Sequence, residues 1–225
     1  MGGISYNETS YSIPGSAGLI EAAVTKGAGF LTGAAQALVV ICHPHPEHGG
    51  TMDNKVVTTL VRIYRDLGVT AIRFNFRGVG KSEGKFDKGV GELDDLLAVV
   101  AWAKQEIPYR HLLLAGFSFG SSIAAQACFG DLNPAHLLLV APPVTRYSYD
   151  QGGQFPCPVC VVQGGKDERV EAGKVYEWTE SLSSPVDIVR YPEAGHFFHG
   201  YLVQLKNDVS PLIKARLPAL DIGDH

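Results

Sequence analysis

Four short runs in the chain are apolar at nearly every position: Leu38–Cys42, Leu112–Ala115, Leu137–Val140 and Val159–Gln163. A strand with one wet face alternates apolar and polar residues, so unbroken runs imply strands buried on both faces. Segments with helical spacing lie between them. Asn54–Leu67 puts Val56, Leu60, Ile63 and Leu67 on one face, with Asn54 placed to cap it. Glu92–Gln105 puts Leu93, Leu97 and Val100 on one stripe and is followed by Pro108. Ser118–Cys128 reads as a helix of small residues, Glu171–Leu182 as one aligning Val175, Trp178 and Leu182, and Phe198–Ile213 as one carrying Leu202, Leu205, Val209 and Leu212. Thr70–Phe74 and Val186–Tyr191 are further strands. Ser10–Ile13 and Leu19–Thr25 suggest an antiparallel hairpin with a longer loop, Pro14 to Gly18, followed by a glycine-rich connection from Lys26 to Gln36. Strands alternating with helices imply an α/β fold with a mostly parallel central sheet of about eight strands, covered on both faces. No repeat, low-complexity tract or charged linker divides residues 1–225, so one domain is expected, fraying beyond Pro218.

Composition excludes several classes. Apolar residues are 45% and charged residues 19%, too rich and too poor respectively for a disordered chain. A net charge of −4 argues against a nucleic-acid partner and against a polybasic membrane-surface protein. No apolar run approaches the ~20 residues of a membrane span. Met1 to Glu8 has no basic stretch ahead of an apolar one, so no secretory leader is expected. The 4 cysteines are too sparse for a disulfide scaffold. These readings predict a cytoplasmic protein.

The chemistry centres on Gly116-Phe117-Ser118-Phe119-Gly120. The motif follows an apolar strand and opens a helix, the context of a G-x-S-x-G nucleophile elbow. A serine hydroxyl needs a base. Of the 8 histidines, His196, in the loop after Val186–Tyr191, opens at the same sheet edge as Ser118, and His199 is the alternative. The acid that orients the imidazole would be Asp167, just past the strand Val159–Gln163, with neighbouring Glu168 as the alternative. Asp150 has no strand immediately before it.

With Ser118, Asp167 and His196 in that order, the chain resembles the α/β-hydrolase superfamily. More narrowly, it resembles a group of small, lidless bacterial α/β hydrolases. The shared text is His43-Pro44-His45-Pro46, Gly49-Gly50-Thr51-Met52-Asp53-Asn54-Lys55-Val56-Val57, Arg73-Phe74-Asn75-Phe76-Arg77-Gly78-Val79-Gly80, Ser82, Gly84, and Gly89, Gly91 and Glu92. An oxyanion hole would take the backbone N–H of Phe119, the residue after the nucleophile. Its second donor would come from the loop after Leu38–Cys42. Pro44 and Pro46 have no N–H, which leaves His45, although relatives often carry glycine where this loop has proline. The connection from Ala141 to Val159 is too short for the lid domain often inserted there. An open site follows, closed at most by a loop carrying Tyr147, Tyr149 and Phe155.

Three other patterns carry less. Gly80-Lys81-Ser82 ends a near-match to a P-loop, but Asn75 stands where glycine is needed and no helix begins at once. Arg77, in the same loop, is expected to tie that loop down. Cys42, His43, His45 and His48 have no downstream partners at zinc-ligand spacing. Cys157 and Cys160 lead into a strand, where residues three apart point to opposite faces. The expected activity is that of a serine hydrolase cleaving a small ester-like acyl substrate, with no metal or organic cofactor. The alternatives are thioester, lactone or peptide cleavage by the same residues, or a non-catalytic binding protein on this fold.

Overall fold

In a computed structural model that describes residues 8–28 and 36–217, the apolar runs lie side by side at the centre of one sheet. The strands are β1 (Glu8–Gly15), β2 (Gly18–Thr25), β3 (Ala37–Cys42), β4 (Thr70–Phe74), β5 (His111–Phe117), β6 (His136–Val140), β7 (Val159–Gly164) and β8 (Val186–Tyr191). The helices are α1 (Lys55–Asp66), α2 (Val90–Glu106), α3 (Phe119–Ala127), α4 (Ala172–Ser181) and α5 (Leu202–Arg216). The sheet is 8-stranded in the order β1-β2-β4-β3-β5-β6-β7-β8. β1–β2 and β2–β4 are antiparallel, and every other pair is parallel. The fraying expected beyond Pro218, the leader question at the first residues and most of the glycine-rich connection lie outside the described residues.

β3, β6 and β7 are buried at every position, and β5 at all but its first residue, as their apolar runs require. Two clusters divide between the faces. α2, α3 and α4 cover Leu38, Val40, Leu112, Leu114 and Leu137, while α1 and α5 cover Val39, Ile41, Leu113, Leu138 and Val162. Asn54 caps α1 as expected, accepting from the Val56 N–H at 2.9 Å. Among the described residues no helix is long and apolar enough to cross a membrane.

The structure departs from the sequence reading in three places. The β1–β2 hairpin closes through Ser16 and Ala17 alone, with Gly15 opposite Gly18 and Pro14 opposite Leu19. β1 lies at the sheet edge, where a proline breaks no ladder if its nitrogen faces outward. α2 turns differently from its leucine stripe: Leu97 is 38% exposed, and Glu92, Asp95, Leu96 and Val99 face inward. The two carboxylates win because each has dedicated donors. Glu92 accepts from the Asp87 and Gly89 N–H groups, and Asp95 accepts from Arg77. Finally, α5 begins at Leu202 rather than Phe198. Phe198 and Gly200 have positive φ, which breaks the helix before it can reach back to His199.

Arg77 is the tie expected of it. Its Nη2 donates to Asp95 Oδ1 at 2.8 Å and to Ser16 Oγ at 3.0 Å, joining the loop after β4 to α2 and the hairpin. The P-loop-like stretch is pinned rather than open. The Ser82 hydroxyl donates to the Asn75 carbonyl at 2.6 Å and accepts from the Glu21 N–H at 2.9 Å.

Candidate active site

Four loops meet where the parallel strands end, the edge at which open α/β sheets gather their ligands. Ser118 follows β5, Asp167 follows β7, His196 follows β8 and His43–His45 follow β3. Ser118 has φ +52° and ψ −122°, a strained conformation that typically costs about 1–3 kcal/mol for a residue with a side chain. The surroundings enforce it. The Ser118 N–H donates to the Val140 carbonyl at 2.8 Å, and the Ser121 N–H donates to the Ser118 carbonyl at 2.9 Å. The flanking glycines let strand and helix cross closely. A Cβ on Gly116 would stand 2.2 Å from the Gly120 carbonyl oxygen, and one on Gly120 would stand 2.4 Å from both the Cys42 and the His43 carbonyl oxygens.

The three side chains predicted from motif and order lie in one hydrogen-bonded chain. His196 Nε2 is 3.1 Å from Ser118 Oγ, and His196 Nδ1 is 2.8 Å from Asp167 Oδ2. With the Nδ1 proton directed at Asp167, Nε2 is left to accept the serine proton. The imidazole is buried against the rings of Phe117 and Phe197, each centroid 5.1 Å away. The Asp167 side chain is fully buried. Burial alone would raise its carboxyl, but the donors around it hold it below the ordinary carboxylate value. Those donors are His196 and the Arg169 and Val170 N–H groups at 2.8 Å each; Gln163 Nε2 also reaches Asp167 Oδ2 at 3.2 Å.

The alternatives take other places. Glu168 Oε2 accepts the main-chain N–H of His196 at 3.1 Å, a bond that holds its carboxyl low, and makes no hydrogen bond to the ring. His199 is exposed in the turn before α5. Asp150 accepts from Trp178 Nε1 and from the Gly153 N–H, so it braces the β6–β7 connection. That connection covers the site less than expected. Tyr147 lines the cleft, but Tyr149 hydrogen-bonds Ser121 Oγ at 2.8 Å in the core, and Phe155 packs on Phe129 and Trp178. Two aromatic side chains expected at the mouth are therefore core residues, because each has a partner below the elbow.

The loop after β3 gives its two histidines different work. His43 is fully buried, and its Nδ1–H donates to the Pro44 carbonyl at 2.6 Å. Its Nε2 accepts the Phe76 N–H at 3.0 Å. Burial pushes its pKa down to about 4, against a smaller upward effect of the Pro44 bond. The neutral ring is a buried pin that fixes the loop, a role the sequence did not signal. His45 lines the cleft, with its ring 4.3 Å from His48 and 5.0 Å from Phe119. Burial lowers its pKa, and His48 and Arg146 lower it further. The His45 main-chain N–H has no acceptor among the described residues. Phe119 is the first residue of α3, so its N–H has no intrahelical acceptor either.

The cleft is small, about 60 Å³, and opens to solvent. Arg146 and Arg169 stand on its rim, unnoticed in the sequence because an arginine in a loop looks like any other solvated charge. Among the described residues no group of three or more His, Cys, Asp or Glu side chains is arranged to hold a metal. Cys42 closes a buried strand, where burial pushes its thiol up. Cys157 and Cys160 lie in clusters on opposite faces of the sheet, as their spacing requires.

Known proteins resemble this arrangement. Residues 33–149 match the family described as "Serine aminopeptidase, S33". A crystal structure of a serine hydrolase without a lid from Xanthomonas campestris superposes with a TM-score of 0.86 at 39% identity, over 94% of this chain and 96% of that one. An α/β serine hydrolase homologue from Coxiella burnetii gives 0.85 at 40% identity, over 94% of this chain and all 100% of the other. An uncharacterized protein of Rickettsia prowazekii is 40% identical over 170 residues, 72% of this chain and 71% of its own length.

Proposed function

The chain belongs to the serine aminopeptidase S33 family of α/β hydrolases, in its lidless form, and on that premise we propose that it cleaves small ester-like acyl substrates through Ser118, His196 and Asp167. The observation that carries the reading is the hydrogen-bonded chain of those three side chains at the floor of an open cleft. His196 Nε2 takes the Ser118 proton as Oγ attacks the carbonyl carbon, and Asp167 holds the imidazole and balances its charge. The negative oxygen of the tetrahedral intermediate meets the Phe119 N–H and the His45 N–H. Collapse releases the alcohol, which takes the proton from His196. Water, activated by the same imidazole, then frees the acid from Ser118.

The family is named for aminopeptidases, but the rim speaks for an ester here. An aminopeptidase must hold a substrate ammonium group, and among the described residues no aspartate or glutamate lines the cleft, while two arginines do. A panel of matched ester, thioester, lactone and aminoacyl-anilide substrates tests this. The expected result is kcat/KM for the ester or thioester about a hundredfold or more above the aminoacyl anilide. An anilide turned over best would overturn the ester reading. A folded protein that turns over nothing would favour a binding protein.

A further inference from the structure

Two guanidinium groups stand at the mouth of the cleft, and among the described residues no carboxylate lines it with them. Arg146 is on the β6–β7 connection, and Arg169 lies two residues past Asp167. Both are exposed, and both line the cleft that holds Ser118 and His196. Neither takes part in an ion pair among the described residues. Arg146 Nη2 donates to the Arg169 main-chain carbonyl at 3.4 Å, which links the two loops. The Arg169 guanidinium rests over the Phe197 ring, 5.2 Å from its centroid. A guanidinium has five N–H donors, so most of theirs remain unused.

The carboxylates closest in sequence are already engaged. Asp167 faces inward to His196, and Glu168 accepts the His196 N–H. The result is a rim that carries two arginines and, among the described residues, no lining carboxylate, on a chain whose net charge is −4. Like charges gathered on one rim repel each other unless a ligand brings the counter-charge.

Building on the hydrolase reading above, we propose that the natural substrate carries an anionic group, a carboxylate or a phosphate, that Arg146 and Arg169 hold while its acyl carbonyl lies at Ser118. The planar guanidinium fork matches either oxyanion with two parallel hydrogen bonds. Stacking on Phe197 pre-orients one fork before substrate arrives.

Three 4-nitrophenyl or phenyl esters of similar size test the proposal: a neutral butyrate, a hemiglutarate with its carboxylate on the acyl chain, and a phenyl butyrate with a phosphate on the leaving group. One anionic ester should exceed the neutral one about tenfold in kcat/KM, and which one does so locates the anion relative to the scissile bond. That selectivity ratio should fall about threefold in Arg146→Gln and in Arg169→Gln, about tenfold in the double variant, and likewise in about 0.5 M salt. A neutral ester turned over faster than both anionic ones, or a ratio unmoved in the double variant, overturns the proposal. Neutral-ester turnover through Ser118 with no anionic preference would sink only this proposal. No turnover and no fluorophosphonate adduct at Ser118 would sink the hydrolase reading with it.

Discussion

The floor of the cleft and its rim are built in opposite ways. On the floor the three reacting residues are each held by partners: Asp167 has four donors, His196 bonds at both ring nitrogens and at its main chain, and Ser118 is pinned at its N–H and its carbonyl. On the rim Arg146 and Arg169 are exposed and, among the described residues, take part in no ion pair. A fixed floor suits one chemical step that must occur in one geometry. An unpaired rim suits a group that arrives with the substrate. The difference teaches that satisfied polar groups hold the machinery in place, while unsatisfied ones point to what it binds.

The comparison breaks most sharply at the floor. Ser118→Ala should lower kcat by up to about 10⁶-fold with unfolding unchanged, and activity above a few per cent would contradict the floor's role. Asp167→Asn should lower kcat by about 10⁴-fold by leaving the imidazole in the wrong tautomer. Glu168→Gln should cost far less, because Glu168 touches only the His196 main chain.

Acid tests the pin beneath the loop. His43, and likewise buried His136, have pKa values lowered from 6.5 to about 4 in the folded protein. The unfolded chain then binds more protons between those values, so stability is full above about pH 6.5 and is lost as pH falls toward 4. Each group contributes on the order of 2–4 kcal/mol over that window. Urea midpoints measured from pH 7.5 to 4 should fall accordingly, and a flat profile would contradict the assignment. Gly120→Ala should destabilise by about 1–3 kcal/mol, read from the same unfolding curves, because its Cβ has no room beside two main-chain carbonyls. The rim responds least: losing both arginines should change substrate selectivity only about tenfold.

The parts that were legible in the sequence are those where one residue type serves one purpose. Unbroken apolar runs marked the central strands, and glycines two residues either side of Ser118 marked the elbow. Chain order then selected Asp167 and His196, which the fold brings together. The motifs that carry the family resemblance proved to be clamps around the loop after β3. Asn75 Oδ1 accepts the Met52 N–H at 2.8 Å, and Arg73 holds the Met52 carbonyl at 3.0 Å together with the Asp53 carboxylate. What was missed depended on partners distant in sequence. The rotation of α2 follows from Arg77 and from the N–H groups of Asp87 and Gly89, which apolar periodicity does not count. The separate tasks of His43 and His45, and the meeting of Arg146 with Arg169, arise only when the loops converge.

The most direct test of the central claim is fluorophosphonate labelling followed by peptide mapping, which needs no choice of substrate. The account predicts a single adduct on Ser118 that is lost in His196→Ala. A folded protein that takes no label, or takes it elsewhere, would contradict it.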